Sequence, residues 1–311
     1  MELYEVTENT LYKDFALKWI EYHKNFVKMS TYANYKQIVY NKLVPFFGEY
    51  KIKDLNKKIV QRYIIAQTVT TRSIKDDIVA FKQSLNYLFE NELIAEFSIS
   101  KLKFKPQQKN KVKFFDRKKY LIIKQYCIEN FDKNKDLKAE LGVLIALNTG
   151  MRIGEICGLK FKDIDFENNL IFVNRTLQRI YIPGEKGVTK VIIGTPKSNA
   201  SVRAMPLTND LKSMLQKLDY EENHFVIRNE KYMEPRLLRN RFNVMLKELA
   251  FEHIKFHSLR HTFATLCISS KIDIKTTSEL LGHANAKMTL DIYTHTTMEQ
   301  KRDAIKILQN L

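Results

Sequence analysis

Six residues in the C-terminal two thirds of the chain carry its most pointed chemistry: Arg152, Lys197, His257, Arg260, His283 and Tyr293. A phosphodiester on its way to a pentacovalent transition state gathers negative charge on its nonbridging oxygens, and arginine answers with a planar, permanently charged, bidentate donor set. Arg152 follows Gly150 at the start of a helical segment, with Glu155 three residues on along the same face, where a carboxylate can hold the guanidinium. His257 and Arg260 leave one face of a helix while Phe263, Ala264 and Cys267 pack beneath it, so that face offers a second clamp beside a group that titrates near neutrality. The neighbouring His261 points elsewhere in this reading, as an ordinary partly buried histidine. Lys197 sits in a polar turn between two expected strands, and His283 directly follows Gly282, a C-cap glycine that lets the ring swing inward. Taken singly, each has a plain explanation: a surface Arg-Glu pair, a structural His-x-x-Arg, a solvated hairpin lysine, one packing aromatic among 15 tyrosines. Taken together, they read as a trap for a DNA phosphate with a tyrosine nucleophile.

The elements that must position these groups are mainly helical, with one small antiparallel sheet, an α+β chain. At 311 residues the sequence is long for a single core, so two domains are expected. Over residues 11–93, apolar positions such as Phe15, Trp19, Ile38, Phe81 and Leu85 recur at three- and four-residue steps, the signature of a small helical bundle. Ser30-Thr31 and Thr70-Thr71 are its expected N-caps, and Gly48 breaks it between the second and third helices. A lysine-only stretch follows: Lys101, Lys103, Lys105, Lys109, Lys111 and Lys113, around Pro106-Gln107-Gln108. It is either a solvated tether or a basic strap across a phosphate backbone, each lysine displacing condensed counterions. Residues 116–130 and 137–148 read as helices, the second buried. Residues 170–181, 188–193 and 201–207 read as strands of one sheet, and helices resume at Pro235 and run through Leu281. Arg236, Arg239 and Arg241 open the helix after Pro235, and residues 298–311 form an amphipathic tail with Ala304, Ile305, Leu308 and Leu311 in one stripe.

A formal net charge of +17 favours a polyanionic partner, either nucleic acid or an anionic membrane surface, although much of the excess is lysine of the kind an AT-biased genome produces. The acidic start, Met1 to Glu5, lacks the basic and apolar segments of a secretory signal, and the longest apolar run, residues 141–147, is far too short to span a bilayer. A cytoplasmic protein is expected. Cys127, Cys157 and Cys267 are odd in number and widely spaced, which argues against both a disulfide framework and a zinc site.

The strings Thr149-Gly150-Met151-Arg152-Ile153-Gly154-Glu155, His257-Ser258-Leu259-Arg260-His261-Thr262 and Leu281-Gly282-His283, followed by Asp291-Ile292-Tyr293, resemble the tyrosine recombinases, the lambda-integrase family. The likeness is detailed from about Phe114 onward. It implies a core-binding domain over residues 1–102, a basic linker over 103–113 and a catalytic domain over 114–311 with an oligomerisation helix at 298–311, the whole forming a clamp around DNA. It also implies the roles. Tyr293 attacks the scissile phosphate and forms a 3′-phosphotyrosyl link, Lys197 protonates the departing 5′ oxygen, Arg152 and Arg260 bind the phosphate with His283, and His257 accepts the tyrosine proton while Glu155 supports Arg152. Arg203 is a DNA backbone contact or a structural residue, and Arg236 and Arg239 read bases.

Strand exchange of this kind conserves phosphodiester energy and needs no metal or other cofactor. The implied partners are double-stranded DNA with inverted-repeat core sites and three further copies in a tetramer, with room for a directionality or DNA-bending accessory protein, on a prokaryotic nucleoid and away from membranes. Integration and excision of a mobile element is the leading biological role. Resolution of chromosome dimers in the manner of Xer enzymes, or DNA binding without catalysis, are the alternatives.

Overall fold

A computed structural model describes residues 5–94, 99, 101–106, 113–131, 138–182, 188–196, 199–283, 285, 287 and 290. The chain divides into two compact units, Met1–Asn110 with Arg179–Lys190, and Lys111–Gln178 with Val191–Leu311.

The first unit is a helical bundle of α1 (Tyr12–His23), α2 (Met29–Ile38), α3 (Val44–Phe47), α4 (Lys57–Ala66) and α5 (Thr71–Glu90). Its core is aromatic: Tyr12, Phe15, Trp19, Phe47, Tyr63 and Phe81 are all but fully buried, and Phe47 stacks on Phe81 at 4.4 Å between ring centroids. Local sequence sets the helix ends. The Asn56 side chain accepts from the Lys58 and Ile59 amides to start α4, and Thr70 accepts from the Ser73 amide to start α5, as expected. Ser30-Thr31 is not a cap: α2 begins at Met29 after Lys28, which places both residues inside the helix. From α2 the chain passes through one π turn, Val39–Leu43, into α3. Pro45 has no N–H to give the preceding turn, so the wider turn there relieves the helix of a bond it cannot make.

The lysine-rich stretch begins as part of this unit rather than as a free linker. The Gln61 amide donates to the Lys103 carbonyl at 2.8 Å and accepts from the Lys103 amide at 2.9 Å, and the Thr71 hydroxyl donates to the Lys105 carbonyl. Leu102 and Phe104 pack on the core between them, leaving Lys101, Lys103 and Lys105 exposed. Lys109 and Lys111 lie outside the described residues, and Lys113 is exposed within 3.8 Å of Glu252.

The second unit is built around α7 (Ala139–Thr149), a helix buried along almost its whole length. Around it pack α6 (Arg117–Asn130), α10 (Pro235–Glu248) and α11 (Ser258–Ser269), joined by the short α8 (Ile153–Gly158), α9 (Asn209–Gln216) and α12 (Ile274–Leu281). Two small antiparallel sheets replace the one expected. Strands β1 (Ile164–Asp165), β2 (Leu170–Val173) and β5 (Arg203–Pro206) form the first in the order β1-β2-β5, with Ile171 opposite Met205 and Val173 opposite Arg203. Strands β3 (Thr176–Tyr181) and β4 (Thr189–Gly194) form the second, of which the part within Arg179–Lys190 belongs to the first unit. The run expected as one strand over residues 170–181 breaks after Val173, where Arg175 turns back to pair with the buried Asp163. Helix α9 was not anticipated, because eight residues with three buried apolar positions give too short a periodic signal. All three cysteines are buried and unbridged. Among the described residues no helix is long and apolar enough to cross a membrane.

Candidate active site

The site is organised by the ends of two helices. Helix α7 closes at Gly150 (φ 63°) and α12 at Gly282 (φ 62°), both in the left-handed conformation that glycine adopts without penalty. At Gly282 the amide donates to the Glu279 carbonyl and the His283 amide to the Ser278 carbonyl, the paired bonds of a Schellman ending. A side chain at either glycine would collide: a Cβ on Gly150 would lie 2.6 Å from Phe263, and one on Gly282 2.9 Å from the Ala200 carbonyl oxygen. The two turns are thereby fixed in place.

Three arginines from three segments converge on the end of α12. Arg203 Nε donates to the Leu280 carbonyl at 2.6 Å, Arg260 Nη2 to Leu281 at 2.5 Å, and Arg152 Nη2 to Gly282 at 3.2 Å. The last carbonyls of a helix lack intrahelical donors and carry its negative pole, so cations gather there favourably. Arg260 also donates from Nη1 to the Gly150 carbonyl at 2.8 Å, which stitches the two glycine turns together. Glu155, 2% exposed, holds the other side of the cluster: Oε1 accepts from Arg152 Nη1 at 2.7 Å, while Oε2 accepts from the Arg152 amide at 2.9 Å and from Arg203 Nη2 at 3.1 Å. Burial pulls its carboxyl upward, but Arg203, the Arg152 amide and the Arg152 guanidinium outweigh that and leave it below the usual carboxylate range. Arg152 thus sits as expected, with its side chain 35% exposed. Arg152 and Arg260 each commit two guanidinium donors to the protein and retain others for an anion.

The histidines depart from expectation in one respect. His257 caps the start of α11 and meets His261 edge to face at 4.8 Å. Its rim is open to solvent, yet burial, followed by His261, Arg260 and Arg152, pushes its pKa down to about 4. His283, half-buried on the α12 turn, is pushed to about 4 by burial and then by Arg260 and Arg152. Neither imidazole is poised near neutrality in the free protein, first because of burial and then because cations stand nearby; both are neutral at pH 7 and available as proton acceptors or neutral donors. His261 is partly buried with its Nδ1 unpaired, in keeping with an ordinary packing residue. Lys197 and Tyr293 lie outside the described residues.

Of the two readings of Arg203, DNA backbone contact or structural residue, the structure favours the second. Its side chain is 7% exposed and bonded to Glu155, Leu280 and Ser201, so it belongs to the framework of the site. The signal lay in the sequence: in β5 Arg203 and Met205 turn inward while Ala204 and Pro206 face out, and the buried Ser201 and Leu207 on either side keep the same alternation. Arg236, Arg239 and Arg241, by contrast, are exposed along the first two turns of α10. Among the described residues no cluster of His, Cys, Asp and Glu could hold a metal ion.

Comparison with known proteins places the chain in a family. A sequence profile described as the phage integrase family matches residues 113–300, well over half of the chain. The chain belongs to that family. A second profile, the N-terminal SAM-like domain of phage integrases, matches residues 11–65. This family member is 25% identical to the integrase of Staphylococcus phage L54a over 94% of its own length and 91% of the relative's. It is 34% identical to a XerC-like tyrosine recombinase of Caldanaerobacter subterraneus subsp. tengcongensis over 54% of its length. In that comparison it spans about half of the relative, 48%. In fold it is similar to the Tn1549 transposon integrase solved with transposon right-end DNA, with a TM-score of 0.75 over 96% of this chain and 100% of that one, at 21% identity.

Proposed function

We propose that this integrase-family protein cuts and rejoins double-stranded DNA through a 3′-phosphotyrosyl intermediate, in the integration and excision of a mobile element. The observation that carries the reading is the convergence of Arg152, Arg260 and two neutral imidazoles on the Gly282-His283 turn, ten residues ahead of Tyr293. The Tyr293 hydroxyl attacks phosphorus, and its proton passes to neutral His257. The bond from phosphorus to the 5′ oxygen breaks, and Lys197 donates the proton that makes a 5′-hydroxyl. Arg152 and Arg260 hold the nonbridging oxygens as charge accumulates, with His283 donating to the same phosphate. One phosphoester replaces another, so the reverse step reseals DNA without a cofactor.

Affinity for DNA comes from exposed cations. The alternation of half-buried Leu102 and Phe104 with exposed Lys101, Lys103 and Lys105 sets those lysines along one edge of the first unit, and Lys109, Lys111 and Lys113 continue the row in sequence. Arg236, Arg239 and Arg241 on α10 suit a DNA groove. The wider assignment comprises a core-binding domain, the basic linker and a catalytic domain with its tail helix at 298–311. It further includes inverted-repeat core sites, a tetramer on DNA, a directionality or DNA-bending accessory protein and action on a prokaryotic nucleoid. The likeness to a XerC-like recombinase favours chromosome-dimer resolution as the second role.

Trapping on nicked suicide duplexes bearing either mobile-element ends or a chromosomal dimer-resolution site tests the reading. A covalent adduct on the element's ends that Tyr293→Phe abolishes is the expected result, and an adduct only on the chromosomal site selects the second role. Specific binding without any adduct would overturn catalysis in favour of a regulator.

A further inference from the structure

Arg203 is the one member of the arginine cluster that no part of the proposed phosphate chemistry uses. It nevertheless makes the most connections. Its fork spans three acceptors on three segments: the Leu280 carbonyl at the end of α12, the Ser201 carbonyl just before β5, and Glu155 Oε2 on α8. Its Cδ and Nη1 also lie 3.1 Å from where a Cβ on Gly282 would stand, so the side chain packs directly on the turn that carries His283. Glu155 is shared, accepting from Arg203 on one side and from the Arg152 guanidinium and amide on the other.

We propose that Arg203 is a positioning residue for strand cleavage: by tying the Glu155 carboxylate to the Leu280 carbonyl, it fixes both the aim of Arg152 and the seat of His283. The idea rests on the reading of the site as a phosphotyrosyl centre. A planar guanidinium is needed because three acceptors lie around one point in different directions, whereas the single ammonium of lysine cannot serve them all. A purely electrostatic role would be met by any cation.

The test is Arg203→Lys, which keeps the charge and loses the fork. In single-turnover cleavage of suicide DNA at saturating protein, the adduct should form about 10- to 100-fold more slowly, the scale on which misplaced catalytic groups reduce rate. The dissociation constant for DNA should stay within about twofold, since the side chain is buried away from any backbone contact. Glu155→Gln should slow cleavage as well, and the double variant should be no slower than the worse single one, because the two residues act through one connection. Thermal unfolding of each variant separates loss of aim from loss of folded protein. A second readout does not need cleavage: in the free protein, the ring resonances of His283 should shift in Arg203→Lys. Cleavage at the parent rate, or an unmoved His283 signal in a folded Arg203→Lys, overturns the proposal. A parent protein that forms no adduct while Arg203→Lys still moves His283 would overturn the catalytic reading and leave the positioning geometry standing.

Discussion

The two units bury positive charge in opposite ways. In the first, Lys42, half-buried, meets the fully buried Asp77 at 2.7 Å, and Tyr63 donates to the other carboxylate oxygen at 2.9 Å, so the pair is neutral and its buried charge is fully partnered. In the second, among the described residues, three guanidiniums share one carboxylate: Arg152 and Arg203 pair with Glu155, while Arg260 is bonded to carbonyls alone, which leaves a local positive excess. A neutral pair is a folding device, because an interior tolerates charge only when it is paired. An unneutralised cluster is a poor folding device and a good receptor for an anion. The histidines are depressed first by burial and then by the same excess, since a proton added to either one joins cations already present.

That contrast can be broken at its strongest point first. Arg260→Met should reduce adduct formation by about 10³-fold, the scale for removing a transition-state charge partner, while the thermal unfolding temperature falls only modestly, because losing a buried excess cation offsets part of the cost of stranding the Gly150 and Leu281 carbonyls. A variant that unfolds instead would make the cluster a structural requirement and dissolve the distinction. Asp77→Ala should do the reverse. It should lower stability by about 2 kcal/mol in urea unfolding, by stranding Lys42 and Tyr63, with adduct formation per folded molecule unchanged. Gly282→Ala lies between the two. Its positive φ and its contact with Ala200 should cost roughly 1 to 3 kcal/mol, and cleavage should fall with it, because the same turn holds His283.

Acid sharpens the contrast further. The folded pKa of His283 is depressed below 6.5, so the unfolded chain binds the extra proton first, and stability is lost as pH falls from about 6.5 toward 4. Melting temperatures across that range should decline less with cognate DNA bound, because a phosphate compensates the charge. The smallest effect expected is from inorganic sulfate, which should raise the melting temperature of the parent protein by a degree or two under mass action and that of Arg260→Met less. Equal shifts in both would place the anion elsewhere.

Much of this was legible in the chain. The Gly150–Glu155 string gave Arg152 its carboxylate partner at three residues' distance, and Gly282 gave the left-handed end of α12, because both depend on local backbone chemistry. Thr70 and Pro235 marked helix starts for the same reason. Ser30-Thr31 misled, because a capping side chain matters only where the chain actually enters the helix, and that point is Lys28. Arg203 stayed open between a DNA contact and a structural residue, because its charge pointed outward while its place in the strand alternation pointed inward. The lysine stretch read as uniform linker, although Gln61 and Thr71 hold its first residues to the first unit.

The sequence by itself determined the order of the candidate residues along the chain and the left-handed turn at Gly282, since residue type, spacing and backbone freedom are local properties. Only the tertiary structure decided which carbonyl each arginine would bind, that Arg203 would support Glu155 rather than face outward, and that the histidines would be held neutral. Those outcomes depend on burial and on partners up to 130 residues away, as between Arg152 and Gly282, and no local pattern encodes a dielectric.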